Sequence, residues 1–351
     1  MDSIKLLEAP EYTEKEREAL VDFVLALKKS HIKDFLKKAE LRRTGTKPDL
    51  RGRIQDALDA GTLTYEKIVE FLDSVAPWGK QHVFLYRGPL SDFGSWKDPE
   101  SLLQRLKEHR LGRLFNARLP LILPEQLTLS SVTHADGKLR VSAIQKREYA
   151  ERTEEYDKEE KTEDGEKVDL RAYVCHLTRA IVAFEWDLIA NVAMLQITQL
   201  QSDGDYEEVE GEFTKLISPW LDFKHFTAID LRPVIRKLHE IEDSGQPEAR
   251  SHGYQYRSPQ GRRVSAQSPS PRDSVRGEDY IDKAMASVRK NGVGHIGNFY
   301  WLGGVKPGPV ENPLNGEVHV IIVAANSRVN FPTPNTEERV RYVLHRIRTL
   351  S

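Results

Sequence analysis

The sequence predicts an α+β protein: a small all-α N-terminal module, then a mixed, mainly antiparallel β-sheet body with flanking helices. Three observations predict it. Apolar residues recur at helical spacing from Glu14 to Val75, alternation surrounds Asp136-Gly137, and β-branched runs fill AYVCHLTRAIVAFEW and NVAMLQITQL. With 351 residues, of which 39% are hydrophobic, the chain is long enough for two or three domains and a sizeable core.

The N-terminal module is read as four helices ending near Pro77. Leu20, Phe23, Val24 and Leu27 mark the first, Ile32, Phe35, Leu36 and Ala39 the second, Leu50, Ile54, Ala57 and Leu58 the third, and Ile68, Val69, Phe71 and Leu72 the fourth. Thr44-Gly45-Thr46 interrupts the second and third. Gly45 permits a positive φ, while Thr46 is placed to cap the third helix, with Pro48 in its first turn and Asp49 at the capping-box position. The helix start carries partial positive charge beside Lys47 and Arg51, with Arg42 and Arg43 just upstream, so the segment reads as an anion site.

Charge singles out the same segment. Residues 28 to 53 hold ten Lys or Arg against Asp34, Glu40 and Asp49, whereas the whole chain has a net charge of −2, so the basicity is local. From His31 to Leu58 the chain resembles the SAP motif, a helix, extended turn and helix found in chromatin and DNA-repair proteins. The resemblance rests on Leu36-Lys37, Leu41, Gly45-Thr46-Lys47, Leu50 and Arg53-Ile54; where the family commonly has a second glycine before the turn, this chain has Glu40-Leu41-Arg42. It implies binding to duplex DNA mainly through the backbone, often with A/T preference. The residues expected at that interface are Lys33, Lys37, Arg42, Arg43, Thr44, Gly45, Thr46, Lys47 and Arg51. A helical hairpin that binds protein is the alternative.

Residues 77 to 243 are read as the α+β body. WGKQHVFLYRG predicts a strand, Pro99 to Arg110 a helix, and Leu127 to Arg147 a hairpin turning at Asp136-Gly137. Residues 148 to 169 hold eleven acidic residues and few large apolar ones, which predicts a solvated or disordered acidic loop able to mimic phosphate. Helices are expected from Tyr206 to Leu216 and from Leu231 to Ile241.

Residues 244 to 277 shift to Ser, Pro, Gly, Gln and Arg and predict a flexible linker, either a tether or an arm that touches nucleic acid. Its Ser258-Pro259, Ser268-Pro269 and Ser270-Pro271 steps are candidate phosphorylation sites in a eukaryotic cell. Residues 278 to 351 are expected to pack on the body: a helix from Asp279 to Lys290, a strand at Ile296 to Leu302, a strand pair joined at Asn326-Ser327, and a last helix capped by Asn335. That helix has a stripe of Arg339, Arg341, Arg346 and Arg348, which is either a second backbone-contacting surface or a response to the helix dipole.

Catalytic motifs are sparse. The sequence has no Walker loop, dinucleotide fingerprint, HExxH or CxxC, and its single cysteine, Cys175, excludes an internal disulfide. NGVGHIG, residues 291 to 297, lacks the lysine of a phosphate loop and predicts a tight turn before a strand. No catalytic residue, metal site or cofactor is expected. The leading expectation is therefore a non-enzymatic DNA-binding protein whose body serves partner binding, oligomerisation or a second DNA surface. A divalent-metal nuclease using Glu185 and Asp187, with Asp203, Asp205, Glu207 and Glu208 nearby, is one alternative; a protein-assembly scaffold without DNA contact is another. With no long apolar run and no basic leader followed by an apolar stretch, the sequence predicts no membrane partner. It predicts an intracellular location, cytoplasmic or nucleoid in a bacterium and nuclear in a eukaryote.

Overall fold

A computed structural model of the chain describes residues 14–351, apart from 28, 76–77, 92, 118–123, 201–203, 246 and 306–310. It divides into two compact units, residues 1–76 and 77–351.

The first unit contains α1 (Glu14–Ala26), α2 (Lys29–Lys38), α3 (Lys47–Asp59) and α4 (Tyr65–Val75). Its core is its own: Leu20, Val24, Ile32, Leu36, Leu50, Ile54 and Ile68 are buried, and the Phe35 and Phe71 rings stack at 4.6 Å. These are the apolar positions picked out by helical spacing, which is why short helices of ordinary propensity hold together here.

The second unit is built on one sheet. Its strands are β1 (Gln81–Arg87), β2 (Thr128–Ala135), β3 (Lys138–Lys161), β4 (Lys167–Asp187), β5 (Val192–Thr198), β6 (Thr227–Ala228), β7 (Ala249–Arg257), β8 (Arg263–Gln267), β9 (Val293–Trp301), β10 (Val318–Val323) and β11 (Arg328–Phe331). They lie in the order β2-β3-β4-β5-β1-β11-β10-β9-β7-β8, with β6 against β1. Each of these pairings is antiparallel. The helices are α5 (Pro99–Glu108), α6 (Tyr206–Ile217), α7 (Arg232–Asp243), α8 (Asp279–Asn291) and α9 (Glu337–Leu350).

β1 sits mid-sheet and shows how the core is divided. Its Val83 and Leu85 belong to one buried cluster, with residues of α7 and α9, while Phe84 and Tyr86 belong to the other, with residues of α5 and α6. Alternation along one strand thus feeds both faces. The predicted hairpin is present, and its two turn residues, Asp136 (φ 51°) and Gly137 (φ 70°), both take the positive φ that a tight two-residue turn needs.

Several expectations are corrected. Residues 148–169 are not a loop: β3 and β4 continue through them as a two-stranded ribbon that turns at 162–166, where the Thr162 amide donates to Glu166 O at 2.9 Å and Gly165 has φ 83°. Tyr156, Val168, Leu170 and Tyr173 are interspersed among the charged residues, the strand pairing survives the charge, and Lys167 meets Glu159 at 2.8 Å.

Residues 244–277 are not a linker either. They supply β7 and β8, and Ser251, Tyr254 and Tyr256 of β7 are buried. The polar composition hid the strands, and the prolines of this stretch all fall outside them: Pro247 before β7, Pro259 between β7 and β8, and Pro269 and Pro271 after β8. Ser268 is buried, with its hydroxyl 2.6 Å from His252 Nδ1 and donating to Ser270 O at 2.9 Å, so it is not presented for phosphorylation. Residues 278–351 do more than pack on the body, since β9, β10 and β11 are part of the same sheet.

The cap of α9 is Thr336 rather than Asn335. Asn335 is buried, its amide side chain donates backwards to Thr333 O at 2.7 Å, and its backbone amide donates to Trp78 O at 3.1 Å. The Cys175 side chain lies outside the described residues.

Candidate nucleic-acid interface

The turn between α2 and α3 is fixed at both ends by backbone chemistry. At its start, the Leu41 amide donates to Leu36 O at 2.7 Å and the Glu40 amide to Lys37 O at 3.2 Å, the paired bonds that close a helix through a left-handed residue. That residue is Glu40, with φ 58°. It stands at the exit from α2, close to where the SAP family commonly places its extra glycine.

At the other end Thr46 and Asp49 form the capping box that the sequence predicts. The Asp49 amide donates to Thr46 Oγ1 at 3.4 Å, and the Thr46 amide and hydroxyl each donate to Asp49 Oδ2 at 2.8 Å. Hydrogen bonds from the Thr46 backbone and side chain, with Arg53 nearby, hold the Asp49 carboxyl below its ordinary range. Gly45 takes φ +131°, and a Cβ there would lie 2.9 Å from Asp49 Cβ. Glycine is therefore required on both counts.

Arg53 secures the middle of the turn. Its Nη1 donates to Arg42 O at 3.1 Å and also to Thr44 O, while Arg42 Nε donates to Thr44 Oγ1 at 2.9 Å. Sequence reasoning gave Arg53 no role at the turn. Its signal was present in the i, i+4 spacing from Asp49, which puts both side chains on the face of α3 beneath the turn.

These contacts redistribute the expected site. Lys33 and Lys37 on α2, and Arg42, Arg43, Thr44, Gly45, Thr46 and Lys47 at the turn, are all exposed. Among the described residues Lys33, Lys37, Arg43 and Lys47 have no carboxylate within ion-pair distance. Arg51 differs, because its guanidinium pairs with Asp22 of α1 and so ties α3 to α1. The start of α3 also differs from the expectation of an open anion site: Asp49 already supplies the negative charge there, and Pro48 has no amide to offer. What remains available to an anion is the ring of side chains around the turn.

Neither models of known protein families nor curated proteins match this chain.

The carboxylates considered for metal binding do not converge. Glu185 is buried and receives Arg341 Nη1 at 2.5 Å and Nη2 at 2.7 Å, with Arg140 at 3.6 Å. Burial alone would raise its pKa, but the Arg341 and Arg140 guanidiniums outweigh that and lower it. Asp187 accepts the Ile189 and Ala190 amides at 2.9 and 2.8 Å, closing the turn before β5. Asp205 caps α6, and Glu207 pairs with Arg328 at 3.1 Å. Asp203 lies outside the described residues. Among the described residues no group of three or more His, Cys, Asp or Glu is placed to hold a metal ion, and no helix is long and apolar enough to cross a membrane.

The arginine stripe of α9 is mostly internal. Arg341 holds Glu185, Arg346 holds Glu248 through bonds of 2.8 and 3.0 Å, and Arg348 donates to Ala193 O at 3.4 Å. These three side chains fasten the last helix to the sheet and are not a free cationic face.

Proposed function

We propose that the four-helix unit binds duplex DNA through backbone phosphates, using Lys33, Lys37, Arg42, Arg43 and Lys47 around the α2–α3 turn, inside the cell. The body serves partner binding, oligomerisation or a second DNA surface, so that two weak sites reinforce each other. The observation that supports this most directly is the pairing of an internally braced turn with exposed cations that lack carboxylate partners among the described residues. A preorganised turn spares the ordering entropy that a flexible basic segment loses on binding, and phosphate contacts of this kind fix position without reading sequence. Arg51 and Arg53 act behind the interface, one tying helices together and the other shaping the turn.

Fluorescence anisotropy of labelled A/T-rich and G/C-rich duplexes over a salt series tests this reading. Each phosphate that the protein ceases to neutralise lowers the slope of log K against log salt by roughly 0.9. The pair Arg43→Glu with Lys47→Glu in the full chain is expected to flatten the slope by about 2 on both duplexes. Unchanged affinity and slope would take the module out of the interface.

A further inference from the structure

A cavity of about 560 Å³ opens at one end of the sheet, where the approach to α7 (Asp230, Arg232), the β7–β8 turn (Ser258 to Gly261) and the β10–β11 turn (Ala324 to Ser327) come together with Arg257 and His295. A second cavity of about 420 Å³ shares Asp230, Arg232, Val293 and Gly294 with it and continues along α7 past Arg236 and Lys237.

The charges at this cavity are unbalanced in a specific way. Arg257 and Arg263 are direct cross-strand partners in the β7–β8 register, an arrangement in which like charges repel. Among the described residues neither has a carboxylate within ion-pair distance. Arg257 Nη2 instead donates to His295 Nε2 at 3.2 Å, a bond that requires a neutral imidazole with its lone pair on that nitrogen. Burial, then Arg257, then Arg263, depress the His295 pKa. The carboxylate on the lining, Asp230, is already committed: it accepts Arg232 Nε at 2.8 Å, Arg232 Nη2 at 2.9 Å and the Arg232 amide at 3.0 Å. The Arg257 guanidinium and the His295 imidazole therefore line the cavity with no counter-charge of their own, and Arg263, off the lining on the paired strand, adds a second guanidinium close enough to act on His295.

We propose that this cavity binds a phosphate ester, gripped by Arg257 with Arg263 reaching in from the paired strand, and hydrogen-bonded by His295, which is protonated once the phosphate displaces its bond from Arg257. A carboxylate offers one two-oxygen edge to one guanidinium. A tetrahedral phosphate offers several oxygens and up to two charges, which matches two forks and an imidazolium at once. The space exceeds what bare phosphate needs and falls within the ~300–1,000 Å³ of ordinary ligand sites. The phosphate is therefore carried on a larger body, for which a mononucleotide and the 5′ end of a nucleic-acid strand serve as the two probes. The site belongs to the second unit and stands independently of DNA binding by the first.

The test uses the full chain labelled with ¹³C at histidine Cε1, with the His295 signal identified by its disappearance in His295→Asn. Inorganic phosphate is expected to shift that signal and raise the pH at which it titrates, since an anion removes the repulsion of Arg257 and Arg263 with Asp230 and Arg232 facing across the cavity. Arg257→Gln is expected to weaken phosphate binding by about tenfold, the effect of removing one charge-assisted hydrogen-bonding group. Arg263→Gln, on an exposed strand position, repeats the test should Arg257→Gln melt at a lower temperature than the parent. Adenosine monophosphate binding more tightly than phosphate supports the site and names a nucleotide; a gain confined to 5′-phosphorylated over unphosphorylated oligothymidine supports it and names a strand end. Arg43→Glu with Lys47→Glu should leave all of this unchanged, which separates failure of the module from failure of this site. A His295 signal unmoved by every probe, or equal affinity in folded Arg257→Gln and Arg263→Gln, overturns the proposal.

Discussion

Arg341 of α9 grips Glu185 of β4 through two hydrogen bonds of 2.5 and 2.7 Å, joining the last helix to a strand of the same sheet. The carboxylate side chain is 7% exposed and the guanidinium 30%. Removing the acid takes the carboxylate partner from Arg140 and leaves Arg341 only the half-exposed Glu337 of its own helix, at 2.6 Å. Glu185→Ala is expected to lower stability by about 3 kcal/mol, the lower end for a broken buried pair because Arg341 retains Glu337 and some water. Urea unfolding of the full chain, following the transition of the second unit, measures it; a decrease below about 1 kcal/mol would mean that the pair behaves as a surface salt bridge.

The same pair sets an acid sensitivity. The pKa of Glu185 is depressed in the folded chain, so its contribution is present above the ordinary glutamate value of about 4.3 and is lost as pH falls through the lower folded value. Stability measured from pH 6 to about pH 3 should therefore decline on acidification, and less steeply in Glu185→Gln. Parallel curves for the two proteins would assign the acid sensitivity to other carboxylates.

Glu40 occupies a left-handed conformation, φ 58°, at the exit from α2. A non-glycine residue there is strained by roughly 1 kcal/mol, and the bonds from Leu41 to Leu36 and from Glu40 to Lys37 hold it in place. Glu40→Gly is expected to slow amide hydrogen exchange around the end of α2. It should also raise DNA affinity at low salt by removing an acidic side chain next to the cationic turn. Faster exchange would show that the greater freedom of the unfolded backbone outweighs the strain relieved.

How far the sequence disclosed this structure depends on which force acts at each position. Asp136-Gly137 and the Thr46–Asp49 box were legible because a dihedral requirement or a short-range hydrogen bond ties them to residue type. Buried stripes such as Val340, Val343, Leu344 and Ile347 were legible from period alone. β7 was not, because its strand character lies in Tyr254 and Tyr256 packing into the core and in pairing with β9 far along the chain, while its neighbours are polar. The acidic ribbon escaped detection because its charge density outweighs the few aromatic and aliphatic residues interspersed in it, and its pairing is a property of the two strands together. At the interface, the spacing of Arg53 from Asp49 marks its face of α3, but its acceptors, the turn carbonyls, become apparent only in three dimensions, and so does Asp22 as the partner of Arg51.

The glycines of residues 291–297 have a packing role that their resemblance to a phosphate loop disguised. A Cβ on Gly294 would lie 3.0 Å from Ile235 Cβ and Cγ2, and one on Gly297 would lie 2.3 Å from Phe299 Cε2 and 3.2 Å from Ile235 Cγ1. Both glycines thus let α7 approach β9 closely through Ile235, which is fully buried in the core beneath. Gly294→Ala is expected to destabilise by about 1–3 kcal/mol, because the methyl group must displace α7 or force a neighbouring rotamer. Ile235→Ala alone should also destabilise, by cavity formation, yet the double variant should be less impaired than the sum of the two by at least about 0.5 kcal/mol, since the added methyl partly fills the space that Ile235 vacates. Strict additivity in that cycle would show that Gly294 is needed for its backbone alone and not for its approach to α7.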